Sequence, residues 1–266
     1  MLNRTEAPPF TRSTAYSLLS PEVVSLPSGI PLYLLNGGSQ PVVRVELLIN
    51  AGRWMEHKRG SAYFSAQLLS KGTTLKSSYT IAQLFDQYGA HLEITPGLDL
   101  LSVSLYSLSK TLRPALELLI ELLTDSVFPE KEVEQIKSIY LQNLRVNYEK
   151  TSFLASKLIR SKLFGGQHPY GMEPDEQDVM DIQREDVVSH FTTYGGDVRI
   201  VAAGDISVAN KQLLITACGK LSLKTAAVRH HDFLMPVPGR TRQEKPGSVQ
   251  SSIRLGKLAV GRLHPD

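Results

Sequence analysis

The period of hydrophobic positions changes several times along the 266 residues. Residues 22–26 and 30–35 are short apolar runs separated by Pro27-Ser28-Gly29, which predicts a hairpin with turn residues at its bend. In residues 42–51, Val43, Val45, Leu47 and Ile49 share one face and Arg44 and Glu46 the other. That is the period-two signature of a half-buried strand. After Gly60 the spacing becomes helical through Ala62, Ala66 and Leu69, and Lys71-Gly72-Thr73 closes the segment. A second short helix is predicted over 80–88, stopped by Gly89. Strands follow at 91–95 and 100–108, and Pro96-Gly97 between them marks a turn beside an edge strand.

The middle of the chain is strongly helical. Leu112, Leu116, Leu119, Leu123 and Val127 form one stripe, and Pro129 opens a further helix whose first turns carry Glu130, Glu132 and Glu134. That helix runs to about residue 150, and another covers 153–163. Residues 165–171 are a loop, 184–193 a helix, 198–203 a strand and 208–218 a last helix. Strands grouped around helix blocks, without regular βαβ alternation, give an α+β fold with a largely antiparallel sheet packed against helices. The chain divides into an extended lead-in (1–21), one folded domain (22–219), a Pro- and Gly-bearing linker (220–247) and a further strand (248–266, patterned over 248–258). That strand has no partner in sequence, so it either joins the first domain's sheet or begins a second domain that continues past Asp266.

Composition narrows the function classes. The apolar share is 42% and the charged share 21%, ordinary for a soluble domain with a real core. A net charge of +3 with both signs interspersed does not support nucleic-acid binding. The single cysteine, Cys218, excludes an internal disulfide and reads as a buried residue on the last helix. No apolar run reaches the roughly 20 residues needed to span a bilayer. Residues 1–9 lack the apolar core of a signal peptide, so the compartment is cytoplasmic, or periplasmic if a signal segment has been removed.

The segment Gly52-Arg53-Trp54-Met55-Glu56, followed by residues 60–73 ending Lys71-Gly72-Thr73, resembles the pitrilysin/insulinase family of inverted-zincin metallopeptidases. Members carry a glycine, an alanine, His-x-x-Glu-His and then Lys-Gly-Thr. Leu141-Gln142-Asn143-Leu144 and the Gly166–Gly171 loop with His168-Pro169-Tyr170 fit the downstream frame. Pro246-Gly247-Ser248-Val249-Gln250 resembles the start of the family's second homologous domain.

In that motif the two His lie at i and i+4 on one helical face and reach one zinc. The Glu beside the second His is the general base, and a distant Glu completes an open catalytic site. Here the first His position is Tyr63, the base position Ala66 and the second His position Gln67. The third-ligand position falls on Asn143, 76 residues beyond Gln67. A phenol and two amides do not compete with imidazole and carboxylate for zinc, and alanine cannot accept a proton. The resemblance therefore implies a catalytically inactive homologue without zinc.

Tyr63, Gln67 and Asn143 are expected to form a buried hydrogen-bonded cluster in the former zinc pocket, since unpaired buried amides are costly. His57, His91, His168 and His190 stand alone in sequence, and His230-His231 fall in the linker. None has the spacing of a replacement metal site. No phosphate loop is present, and the serines near Gly60 and Thr73 are expected to lack a nearby His with an Asp partner, so nucleophilic catalysis finds no support. Active members hold substrate as a strand added to a sheet edge, gripped near an Asn-Ala pair. The matching position here is Glu93-Ile94, followed by Pro96, which weakens strand addition without excluding a peptide.

The resemblance implies the non-catalytic subunit or half of a two-part peptidase. It would help form the substrate chamber, with a catalytic homologue bearing the intact motif, or a second copy of itself, as partner. A zinc endopeptidase with unusual ligands and a scaffold keeping only the fold remain open alternatives.

Overall fold

The computed structural model describes residues 18–195, 197–222, 227, 229–232 and 237–261. Among these residues six strands form one sheet in the order β1-β2-β6-β3-β5-β4. The strands are β1 (Glu22–Ser25), β2 (Pro31–Asn36), β3 (Val42–Ile49), β4 (His91–Pro96), β5 (Leu101–Leu108) and β6 (Val198–Gly204). All neighbours are antiparallel except β2 and β6, which run parallel with Leu32 opposite Ile200. The α+β reading and the mainly antiparallel sheet therefore hold.

Alternation sets the two faces. Val43, Val45, Leu47 and Ile49 of β3 are almost fully buried, as are Leu101, Val103 and Leu105 of β5 and Ile200 and Ala202 of β6. The other face carries Arg44, which reaches Glu46 at 3.0 Å and donates to the Ser104 Oγ at 3.3 Å.

Among the described residues eight α-helices accompany the sheet: α1 (Ser61–Leu68), α2 (Ser78–Tyr88), α3 (Leu112–Asp125), α4 (Glu130–Tyr148), α5 (Thr151–Phe164), α6 (Glu176–Asp181), α7 (Arg184–Tyr194) and α8 (Val208–Cys218). The leucine stripe of α3 packs on β5 and on α8, and Cys218 lies buried in that layer. The turn into α4 puts Phe128 at a φ of 47°, an unusual conformation for a bulky residue. Arg184 donates from Nε to the Phe128 carbonyl and from a terminal nitrogen to that of Val127, each at 2.8 Å, and so holds this turn.

Helix α1 is the centre of the arrangement. Six of its eight residues are buried, because α7, α4 and the edge strand β4 surround it. Its N-cap, Gly60, has a φ of 91°, which L side chains rarely adopt. Residues 248–258 take part in no strand ladder. They lie along α5, with the Ser252 hydroxyl 3.1 Å from that of Thr151, and they do not join the sheet.

Candidate functional site

The side chains of Tyr63, Ala66 and Gln67 leave α1 at the place where it meets α4 and β4. Ala66 is fully buried. Tyr63 is half-buried, its ring edge-on to Tyr140 of α4 with centroids 5.0 Å apart and to Phe64 at 5.4 Å. Burial raises the Tyr63 phenol above its ordinary value. It also pushes Tyr140 up to about 12, aided by the charge of Glu173. Both phenols therefore stay protonated. Gln67 lines a shallow cleft of about 190 Å³ with Ala66, Ser70, Lys71 and, from β4, Leu92 and Ile94.

Asn143 departs from expectation. It is solvent-exposed, and neither it nor Tyr63 or Gln67 makes a side-chain hydrogen bond among the described residues. The inward stripe of α4 is centred on Val133, Ile136, Lys137, Tyr140 and Leu144, which leaves Asn143 at its margin. The expected buried polar cluster is thus replaced by an aromatic contact. Tyr140 fills the space between the helices, so no buried amide needs a partner there.

The donor set does not fit zinc. It offers two phenols held neutral, a methyl group and two amides, one of them on the surface. Among the described residues no group of three or more His, Cys, Asp or Glu is placed to hold a metal ion.

Two features escaped the sequence reading. Glu56 lies against the start of α1, its Oε1 accepting from the Ala62 N–H at 3.0 Å. Burial pushes its carboxyl up to about 7, against the lowering effects of backbone N–H groups of Gly60, Ala62 and Tyr63 and of the Arg53 charge. The second is His190, which lies beside Ser61 despite their separation in sequence, Nδ1 to Oγ at 3.5 Å. Its Nε2 faces the Ala51 carbonyl at 3.0 Å, and burial drives its pKa down to about 4. Ser61 and His190 are both almost fully buried where α1 packs on α7, and among the described residues no carboxylate bonds to the imidazole. Only tertiary structure brings these groups together, and no local spacing announces them.

An α+β domain whose central helix is set between an edge strand and a long second helix defines a metallopeptidase-type domain. Residues 34–169, just over half of the chain, match the family model described as Insulinase (Peptidase family M16), and the chain belongs to that family. The rat mitochondrial-processing peptidase subunit beta is 25% identical over 260 residues, 92% of this chain and 51% of the relative. The bovine cytochrome b-c1 complex subunit 1 is 25% identical over 179 residues, 66% of this chain and 37% of the relative. The chain thus spans about half or less of the length of these relatives. Among solved structures, a peptidase M16 inactive domain from Pseudomonas fluorescens superposes with a TM-score of 0.76 at 23% identity, over 82% of this chain and 55% of that one. The periplasmic protease PqqL from Escherichia coli gives 0.71 at 15%, over 84% and 26% respectively.

Proposed function

We propose that this chain is a non-catalytic insulinase-family protein that forms part of a substrate chamber beside a catalytic homologue with an intact His-x-x-Glu-His. The observation that carries the reading is the joint substitution of all four functional positions by Tyr63, Ala66, Gln67 and Asn143. Two features support it: phenols that burial keeps from ionising, and a base position reduced to a methyl group. On this reading the chain binds no zinc and hydrolyses no peptide by itself. Relatives named as subunits, and a structural neighbour described as an inactive domain, agree with a subunit role. Among the described residues no helix is long and apolar enough to cross a membrane.

We also read residues 248–266 as the start of a second homologous domain. In support, Val249, Ile253 and Leu255 are 98%, 85% and 99% exposed, while Ser252, Arg254 and Gly256 approach α5. An extended segment with one apolar side fully in water has the pattern of a strand awaiting a sheet.

The test is reconstitution. The purified chain is expected to lack peptidase activity, to co-purify with a homologue bearing the intact motif and to raise its turnover of an extended peptide. A chain that cleaves peptide alone, or leaves the homologue unbound and its turnover unchanged, contradicts the proposal.

A further inference from the structure

The last turn of α1 and the chain that leaves it bring the Gln67 amide, the Ser70 hydroxyl and the Lys71 ammonium to one cleft of about 190 Å³. Ala66 and, from the edge strand β4, Leu92 and Ile94 supply its apolar walls, and no carboxylate lines it. Gln67, Ser70 and Lys71 are each half-buried. Among the described residues none of their side chains makes a hydrogen bond or an ion pair.

We propose that this cleft binds a carboxylate group of a peptide, supplied either by the peptide's C-terminus or by an Asp or Glu side chain.

The donor set selects the ligand. An ammonium offers three N–H donors and a positive charge, a primary amide two N–H donors and a hydroxyl one more, and none of them is an anionic acceptor. A carboxylate accepts about four hydrogen bonds through its two oxygens and supplies the missing counter-charge. A cation meets the charge of Lys71, and a neutral group leaves that charge unpaired. Size narrows the choice further. Pockets for whole small molecules run from about 300 to about 1,000 Å³, so this cleft admits one side chain or one chain end. The apolar walls keep water from one side of the pair and so strengthen it.

The C-terminal end of α1 acts against an anion, because its carbonyls carry partial negative charge. Two of them are already taken: Ala66 accepts from the Leu69 N–H at 3.4 Å and Leu68 from the Lys71 N–H at 2.9 Å. The attraction therefore rests on direct contact with the Lys71 ammonium, which makes Lys71 the decisive position. The inference needs no catalytic homologue, so its test uses the chain alone and its failure leaves the subunit reading untouched.

Three peptides serve as probes: N-acetyl-Ala-Leu-Ala with a free C-terminus, the same peptide as its C-terminal amide, and N-acetyl-Ala-Glu-Ala amide. Each is titrated at low salt into the isotope-labelled full chain and followed by amide NMR spectra. Saturable shifts of the Gln67 side-chain amide and of the Ser70 and Lys71 backbone signals are expected with one or both carboxylate-bearing peptides. The neutral peptide should bind about tenfold more weakly or not at all. Shifts from the free-terminus peptide alone assign the chain end, shifts from the Glu peptide alone assign the side chain, and shifts from both assign the shared group. In Lys71→Gln the affinity for the carboxylate peptides should fall about tenfold, to the level of the neutral one, with the rest of the spectrum unchanged. The proposal is overturned if neither carboxylate peptide gives saturable shifts, if the neutral peptide binds as well as they do, or if Lys71→Gln binds them like the unaltered chain.

Discussion

Replacing Glu56 by Gln separates the effect of its charge from that of its shape. Glu56 has a pKa of about 7 in the folded chain against an ordinary 4.5. Because its folded value is raised, the folded state binds its proton more tightly than the unfolded state. Stability therefore declines as pH rises from about 4.5 through 7. At about 1.4 kcal/mol per unit, ionising this carboxyl in place removes roughly 2–3 kcal/mol of stability between about pH 5 and about pH 8. That is a large fraction of the 5–15 kcal/mol typical of a domain. In Glu56→Gln the amide oxygen keeps the N–H of Ala62, and no charge is buried at either pH. Any fixed cost of the substitution cancels when the two conditions are compared. Histidines such as His190 titrate in both proteins and cancel as well. Urea unfolding of both proteins at both pH values should show the difference moving in the variant's favour by roughly 2–3 kcal/mol from acid to alkaline conditions. A change below about 0.5 kcal/mol refutes the reasoning, because it places the folded Glu56 near its ordinary pKa.

Other tests address the frame around α1. Arg184→Met removes two hydrogen bonds from the carbonyls of Val127 and Phe128 and should cost about 1–3 kcal/mol, read as a lower urea midpoint with unchanged slope. A neutral result would show that the positive-φ turn holds itself. Converting Tyr63→His, Ala66→Glu, Gln67→His and Asn143→Glu together should confer one bound zinc per chain, measured by elemental analysis, because the helices that carry these positions are in place. No binding by a folded quadruple variant would show that α1 and α4 have lost the spacing the ligands need.

Elements with a strong local period were legible in the sequence. The alternation of Val43 to Ile49 fixes which side of β3 is buried, and the leucine stripe of α3 locates its packing face. What escaped depends on contacts between distant residues. Nothing local places β6 beside β2 in parallel, inserted between two strands that are neighbours in sequence. The six-residue α6 is too short for periodicity to show, although its Asp175–Asp178 capping box is clear in the structure. Asn143 shares a helical spacing with Ile136 and Tyr140, but Leu144 takes the inward place near the end of α4, and spacing alone does not resolve the margin of a stripe. His168 and His231 are 63 positions apart in sequence and meet only because the linker folds back over Trp54. The assignment of Tyr63, Ala66 and Gln67 to the zinc-motif positions comes from a local stretch of sequence, and the zinc measurements on the chain and on its quadruple variant test it.

The central claim is that α1 and α4 carry no competent metal site, and zinc titration of the purified, chelator-treated chain by isothermal calorimetry tests it most directly. The account predicts no saturable binding of one zinc per chain. Saturable binding of one zinc per chain that Gln67→Ala or Tyr63→Phe abolishes would contradict it.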